Sequence, residues 1–339
     1  MSIVLKHPDA RVFVDELSNG KKQITIQRIK KSIFIKERSC QTHYTIDLIK
    51  QILLLKTPSY LCDEILRDEN PDYVQNFIEK SLLGYIEKSK FINKRILDFG
   101  CGSGASTIIL ARMFTASKIV GVDLSDDLLS IARARQNFYG FSNIKFFLSP
   151  SANEIPDEIG CFDYIIMSAV YEHLLPQERP PILHKLWSIL KPNGILFIFD
   201  TPYRYFPVER HTTGLPLINY LPDKIVLLIV RLFSKSVKKD ESWQSLLRRG
   251  IRGGTEKEIV RLLLKEKRTD LIVFEPCRLG CRDRVDLWYL LYSSHKGSFS
   301  KKVITRLLKG IFKVIKQLFG INFMHSLSLA IKKVHIEDH

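Results

Sequence analysis

The chain reads as an α/β protein built on a parallel sheet with helices on both faces. Two observations predict this. From residue 95 onward, short and nearly continuous apolar segments alternate with amphipathic helical patterns, as strands buried on both faces require. The first of those segments runs into a glycine-rich turn, Asp98-Phe99-Gly100-Cys101-Gly102-Ser103-Gly104, that opens a helix. Composition agrees: of 339 residues, 45% are hydrophobic and 26% charged, which excludes a fibrous or disordered chain. The length fits one large domain with additions, or two domains.

Residues 1–90 form an N-terminal extension, with strands expected over 11–14, 24–28 and 32–37 and helical patterns around 46–55 and 73–87. Strands then follow over 95–99, 118–123, 144–148, 162–168, 194–200, 271–275 and 287–293. Helices are expected between them over 105–114, 125–139, 179–190 and 256–267. The last of these opens on a capping box, Thr255 with Glu258. Residues 201–254 break the alternation and exceed an ordinary loop, so a cap is expected over 203–254. The sheet domain then covers 91–295, and 296–339 is left as a tail.

The turn carries a chemical preference. Its spacing is G-x-G-x-G, and Asp98 stands two residues before Gly100. A carboxylate there is unwelcome beside a pyrophosphate at a helix N-terminus. S-adenosylmethionine has no phosphate and carries a sulfonium and an ammonium, which a carboxylate favours. Asp123 ends the second strand, where an acid can accept from both ribose hydroxyls.

At these residues the chain resembles the class I S-adenosylmethionine-dependent methyltransferases. The matching segments are ILDFGCGSG at 96–104, VGVDLS at 120–125, CFDYIIMSAVYEHL at 161–174 and LKPNGILFIF at 190–199. The resemblance implies a Rossmann-like seven-stranded sheet whose last strand is antiparallel, with cofactor and acceptor at the carboxyl ends of the strands. It implies that Asp98, Gly100, Cys101, Gly102 and Gly104 line the methionine part, Asp123 the ribose and Leu124 the adenine, with Ser168 also in the cofactor set. Ser151-Ala152 stands where many relatives have Asp-Ala, so Ser151 or a backbone group would contact adenine instead. The cap resembles that of bacterial methyltransferases associated with surface polysaccharides, which implies a saccharide, glycolipid or other small acceptor.

Methyl transfer is an in-line displacement, so placing the nucleophile ~3 Å from the methyl carbon supplies most of the rate. A hydroxyl acceptor also needs a base. His173 and His211 both follow strand ends and are the catalytic candidates; a pocket-shaping His173 and a structural His211 are the alternatives. Tyr171, Glu172, Tyr203, Arg204 and Arg210 are candidate acceptor contacts, and Arg252, in the run Arg248–Gly254, could clamp an acceptor phosphate or carboxylate. Cys277 and Cys281 have no second pair at matching spacing, so no metal site is expected.

The charge is 52 Lys+Arg against 36 Asp+Glu, a net +16. Nine of the basic residues lie between 287 and 336, where no acid occurs. Over 301–319 the pattern is helical, with Ile304, Leu307, Leu308, Ile311, Phe312, Ile315, Leu318 and Phe319 on one face and Lys302, Arg306, Lys309, Lys313 and Lys316 on the other. Such a helix suits docking on the core with its basic face solvated, an anionic membrane surface, or nucleic acid. A tRNA or rRNA methyltransferase is therefore a rival reading, and a cofactor-binding membrane scaffold a non-enzyme one. Nucleic acid is disfavoured because no separate RNA-binding module is visible. Neither a signal peptide nor a ~20-residue apolar span is found, and the six Cys are scattered. The expected location is thus cytoplasmic, with peripheral contact at the inner face of the membrane.

Overall fold

The computed structural model describes residues 2–29, 38–264, 270–293 and 299–334. Contacts group the chain into two compact units, Met1–Glu79 with Cys101–Leu148, and Lys80–Gly100 with Ser149–His339.

In the first unit, β1 (Ser2–His7), β2 (Ala10–Glu16), β3 (Lys22–Arg28) and β4 (Arg38–Thr42) form an antiparallel meander in that order. The strands expected at 11–14 and 24–28 are β2 and β3, while 32–37 lies outside the described residues. Residues alternate between faces, so Val12, Val14, Ile24 and Ile26 share a core with Ile49, Ile52 and Ile65 of α1 (Ile46–Glu69). Thr45 caps α1 by accepting from the Leu48 amide. The helix bends at Thr57, which stands before Pro58 and is held out of the helical region. Then come α2 (Asn76–Leu83), which begins in this unit, α3 (Ala105–Met113), β6 (Lys118–Asp123), α4 (Asp126–Tyr139) and β7 (Ile144–Leu148).

The centre of this unit is ionic. Arg135 of α4 is 0% exposed. Its Nη1 donates to the Ser103 carbonyl (2.7 Å) and hydroxyl (2.8 Å), its Nη2 to the Glu64 carbonyl (2.6 Å) and carboxylate (3.2 Å), and its Nε to Tyr44 (3.1 Å). Tyr44 in turn donates to both oxygens of buried Asp68 (2.6 and 2.7 Å). Ser103 donates to Glu64, whose other oxygen pairs with Lys56 at 3.2 Å. Two cations thus match two carboxylates, and the guanidinium is satisfied on every side, as burial demands.

The second sheet has seven strands in the order β10-β11-β9-β8-β5-β6-β7. In the second unit these are β5 (Arg95–Phe99), β8 (Phe162–Ser168), β9 (Leu190–Pro202), β10 (Leu271–Phe274) and β11 (Ser326–Lys333). β5, β8 and β9 run parallel, whereas β11 is antiparallel to both β9 and β10. The antiparallel strand expected from the family resemblance is therefore present, but at a different place in the chain. Residues 287–292 are helical, within α9 (Arg284–Tyr292), and Ser293 ends that helix. The run Leu287–Tyr292 is apolar throughout, and such a run does not distinguish strand from helix. Asp283 decides it by capping the Val285 and Asp286 amides at 3.0 Å. The segment 296–339, read as a tail, instead supplies β11, one strand in from the sheet edge.

The insertion after β9 is present and closed at its base by a bridge between Tyr203 and Gly254. Its helices, α6 (Asp223–Phe233) and α7 (Trp243–Arg248), share a core of Ile218, Val226, Val230, Leu246 and Ile251. α5 (Arg179–Ile189) and α8 (Glu256–Leu264) lie where helices were expected, and Thr255 caps α8 through the Glu258 amide (3.1 Å). The Glu258 carboxylate pairs with Arg179 at 2.8 Å instead of closing the box.

The basic helix is α10 (Phe299–Phe319), and it docks through Leu308 and Phe312 of the apolar face together with three lysines of the basic face, leaving the rest of both faces outward. Lys309, Lys313 and Lys316 face inward and pair with Asp286, Asp283 and Glu275 at 2.8–3.2 Å. Phe312 is buried beside Trp288. Ile304, Leu307, Ile311 and Leu318 remain exposed, Leu307 at 63%. Three carboxylates on the facing surface select the lysine side of the helix.

Replacing Arg135 with Met leaves Glu64 and Asp68 buried without their shared cation. Denaturant unfolding is expected to show a loss of about 3–5 kcal/mol; a change below about 1 kcal/mol would show the network to be dispensable.

Candidate active site

The turn after β5 shows why glycine recurs there. Gly100, Gly102 and Gly104 all have positive φ, at 73°, 55° and 83°. A Cβ at Gly104 would lie 2.6 Å from the Ala132 Cβ, and one at Gly100 would lie 2.6 Å from Val170. At Gly102 a Cβ would meet nothing within 4 Å, so that glycine borders open space. Asp98 is buried at the end of β5, and Cys101 is buried with its amide on the Val122 carbonyl (3.0 Å).

Asp123 ends β6 half-buried. Its two oxygens accept from the amides of Gly102 (2.8 Å) and Ser125 (3.0 Å). That joins the tip of the second strand to the glycine turn inside the first unit. Leu124 beside it is exposed. In the second unit, Ser151 is half-buried and bonded to Glu154 (3.1 Å), next to half-buried Ala152, and Ser168 closes β8.

The strand ends of the second unit are strained. Ala169, just after β8, has φ 53°, and Asp200 has φ 60° where the register of β9 on β11 shifts. Non-glycine residues in the left-handed region concentrate at functional sites. Around these ends lie Glu172, His173 and His211. The two imidazole rings are 5.4 Å apart. His173 Nδ1 lies 2.7 Å from the Arg248 carbonyl, which can only accept, so Nδ1 carries the proton and Nε2 a lone pair. Partial burial of its ring lowers the pKa of each histidine, and His173 lowers that of His211 further. Burial pushes Glu172 up to about 8.

His211 also lines a cavity of about 220 Å³ with Asp200, Tyr203, Arg210, Tyr292 and His325. Tyr292 donates to Asp200 (3.1 Å), and burial pushes His325 down to about 4. Asp200, Tyr292 and His325 were missed from the sequence, because two of them belong to segments read as a strand and a tail. The alternation in Ser326-Leu327-Ser328-Leu329 was the available signal for β11.

Other candidates are placed differently from their expected roles. Tyr171 is fully buried beneath Arg179, so it is not exposed to an acceptor. Glu172 is likewise withdrawn from solvent. Arg204 donates to the Asn219 carbonyl and stacks on Tyr205. The arginine run does not form a free anion clamp: Arg248 is bidentate on Glu178, Arg249 on Glu241, and Arg252 on Asp223 with the Ile218 and Leu221 carbonyls. Each of these arginines braces the cap. Tyr203, Arg210, His211 and Arg252 are the predicted acceptor-side residues that the structure brings to one cavity, Arg252 with its guanidinium already engaged by Asp223.

Residues 96–194 match the family model of a methyltransferase domain. The demethylmenaquinone methyltransferase of Lactococcus lactis subsp. lactis is 29% identical over 145 residues, 42% of this chain and 54% of that one. The fatty-acid O-methyltransferase of Mycolicibacterium smegmatis is 30% identical over 151 residues, 44% and 53% respectively. The chain thus spans about half the length of these relatives. Among solved structures, the plantazolicin methyltransferase BamL in complex with a triazolic desmethylPZN analog and SAH superposes with a TM-score of 0.45 at 17% identity, over 85% of this chain and 95% of that one. With the family match over 96–194, the four ordered motifs and the seven-stranded sheet, the chain contains a class I methyltransferase domain whose cofactor is S-adenosylmethionine.

Proposed function

We propose that this protein transfers the methyl group of S-adenosylmethionine to a hydroxyl of a small, glycan- or lipid-linked acceptor at an anionic membrane surface. The observation that carries the acceptor side is the 220 Å³ cavity, where His211 stands among polar and aromatic groups next to the strained ends of β8 and β9. Asp98 and the glycines are assigned to the methionine part of the cofactor. Asp123 is assigned to the ribose, Leu124, Ser151 and Ala152 to the adenine side, and Cys101 and Ser168 to the pocket wall. His211, with His173 behind it, is assigned to activating the acceptor hydroxyl. Tyr203 and Arg210 are assigned to holding the acceptor.

Tyr203 also borders a second cavity of about 570 Å³, lined mainly by apolar and aromatic side chains such as Val260, Ile321, Met324 and Leu327, with Glu256, Lys257 and Arg284 also on its wall. An apolar acceptor chain suits that lining, and two relatives are named for demethylmenaquinone and fatty acid. The membrane reading rests on α10 and α6. Besides the outward stripe of α10, α6 exposes Leu228, Leu232 and Phe233, Leu232 at 68%. Apolar stripes of this kind need a cover. Exposed Lys301, Lys302 and Arg306 on α10, and Lys235, Lys238 and Lys239 after α6, supply charge that suits anionic lipid. Among the described residues, no helix is long and apolar enough to cross a membrane, so contact would be peripheral.

Three outcomes follow. Asp123→Ala is expected to weaken S-adenosylmethionine binding by about 1.5–3 kcal/mol in calorimetry, because two ribose hydroxyls lose a charged acceptor; unchanged affinity in a folded variant would reject that assignment. His211→Ala is expected to lower turnover at least a hundredfold, in a labelled-cofactor assay on fractionated lipid and glycan, while cofactor affinity stays level. Full turnover would remove His211 from the chemistry, and label found only in RNA would favour the nucleic-acid rival. The protein is expected to sediment with anionic but not neutral vesicles, less so at 1 M salt, where the Debye length falls to ~3 Å. Leu307→Glu with Leu318→Glu should abolish that binding, whereas indifference of the parent protein to anionic vesicles would end the membrane reading.

A further inference from the structure

We propose that Glu172, His173 and His211 form a binding site for a divalent transition-metal cation. One potential ligand atom from each lies within 4.8 Å of the others. The independent observation is Glu172. Its residue is 1% exposed, and although one oxygen accepts from Thr201 (3.0 Å), Oε1 has no hydrogen-bond partner. A buried carboxyl oxygen left unmatched is costly, and a cation that displaces the carboxyl proton removes that cost.

The surroundings suit a cation. The proton that His173 holds against the Arg248 carbonyl leaves the Nε2 lone pair 3.9 Å from Glu172 Oε1. Metal-binding histidines are commonly oriented in this way, through a carbonyl on the far nitrogen. The arginines nearby are already neutralised, Arg248 by Glu178 and Arg249 by Glu241. Gly250 keeps the space clear, since a Cβ there would stand 2.7 Å from His211 Cδ2 and 2.9 Å from Glu172 Cγ. Two imidazoles and one carboxylate suit zinc, manganese or ferrous iron, whereas magnesium and calcium favour oxygen-only sites. His211 is exposed, so its ring is placed to swing the short distance needed to close the set. Since His211 also lines the cavity, an acceptor oxygen could complete the coordination shell. This deepens the acceptor assignment above and rests on it only for that last step.

The test is calorimetric titration of the full chain with zinc chloride, without cofactor or acceptor, and a parallel titration with cobalt(II) followed by visible absorption. One cation per chain is expected, with binding at least tenfold weaker in both Glu172→Gln and His211→Ala and no matching heat from magnesium. No zinc binding, or equal binding in parent and variants, would overturn the site. If Glu172→Gln does not fold, His211→Ala decides, because it alters an exposed side chain. S-adenosylmethionine affinity measured on the same samples reports separately on the methyltransferase reading.

Discussion

The structure depends first on one buried guanidinium. Arg135 ties the glycine turn, through Ser103, to two carboxylates of α1 and to Tyr44 at its start. The three positive-φ glycines give that turn its path, but a path of this kind has no side chains of its own to hold it. Ser103 supplies the hold. Its carbonyl and hydroxyl both accept from Arg135, and the hydroxyl donates to Glu64. The N-terminal segment is therefore part of the machinery that shapes the turn. In a low-dielectric interior the network stands only because every member is paired.

Much of this was legible from residue order, and for a stated reason. The glycine turn, Asp123 and the strands near it are local patterns: an apolar run, a tight turn, an acid at a strand end. Arg135 was not legible, because in Ala134-Arg135-Gln136 it reads as an ordinary helical cation, and its partners are 32 to 91 positions away. The last strand was misread because Leu287–Tyr292 carries no period that separates helix from strand. The true strand lies beyond a basic helix whose pattern reads as the start of a tail. That helix ends at Phe319 as its pattern predicts and starts two residues earlier than predicted, at Phe299, but periodicity fixes only which residues share a face. Which face docks is set by the partner surface, here Glu275, Asp283 and Asp286.

The second unit shows how distant segments converge on one chemistry. Thr201 at the end of β9 holds one oxygen of Glu172, Gly250 of the cap leaves room above it, and His211 of the cap stands beside His173. The arginine run of the cap is spent on Glu178, Glu241 and Asp223, so it positions this cluster without adding free charge to it. Tyr292 and His325 reach the same cavity from elements that follow the cap. The candidate acceptor side is thus built mainly from additions to the common domain, which is where acceptor choice would be expected to reside.

The central claim is that the turn from Gly100 to Gly104 and the tip of β6 hold S-adenosylmethionine. Hydrogen–deuterium exchange of the full chain, with and without S-adenosylhomocysteine, tests it most directly. The account predicts slowed exchange confined mainly to amides around 98–104 and 121–125, where Gly102 and Ser125 donate to Asp123. Saturating ligand that leaves these amides unchanged while protecting another region would contradict it.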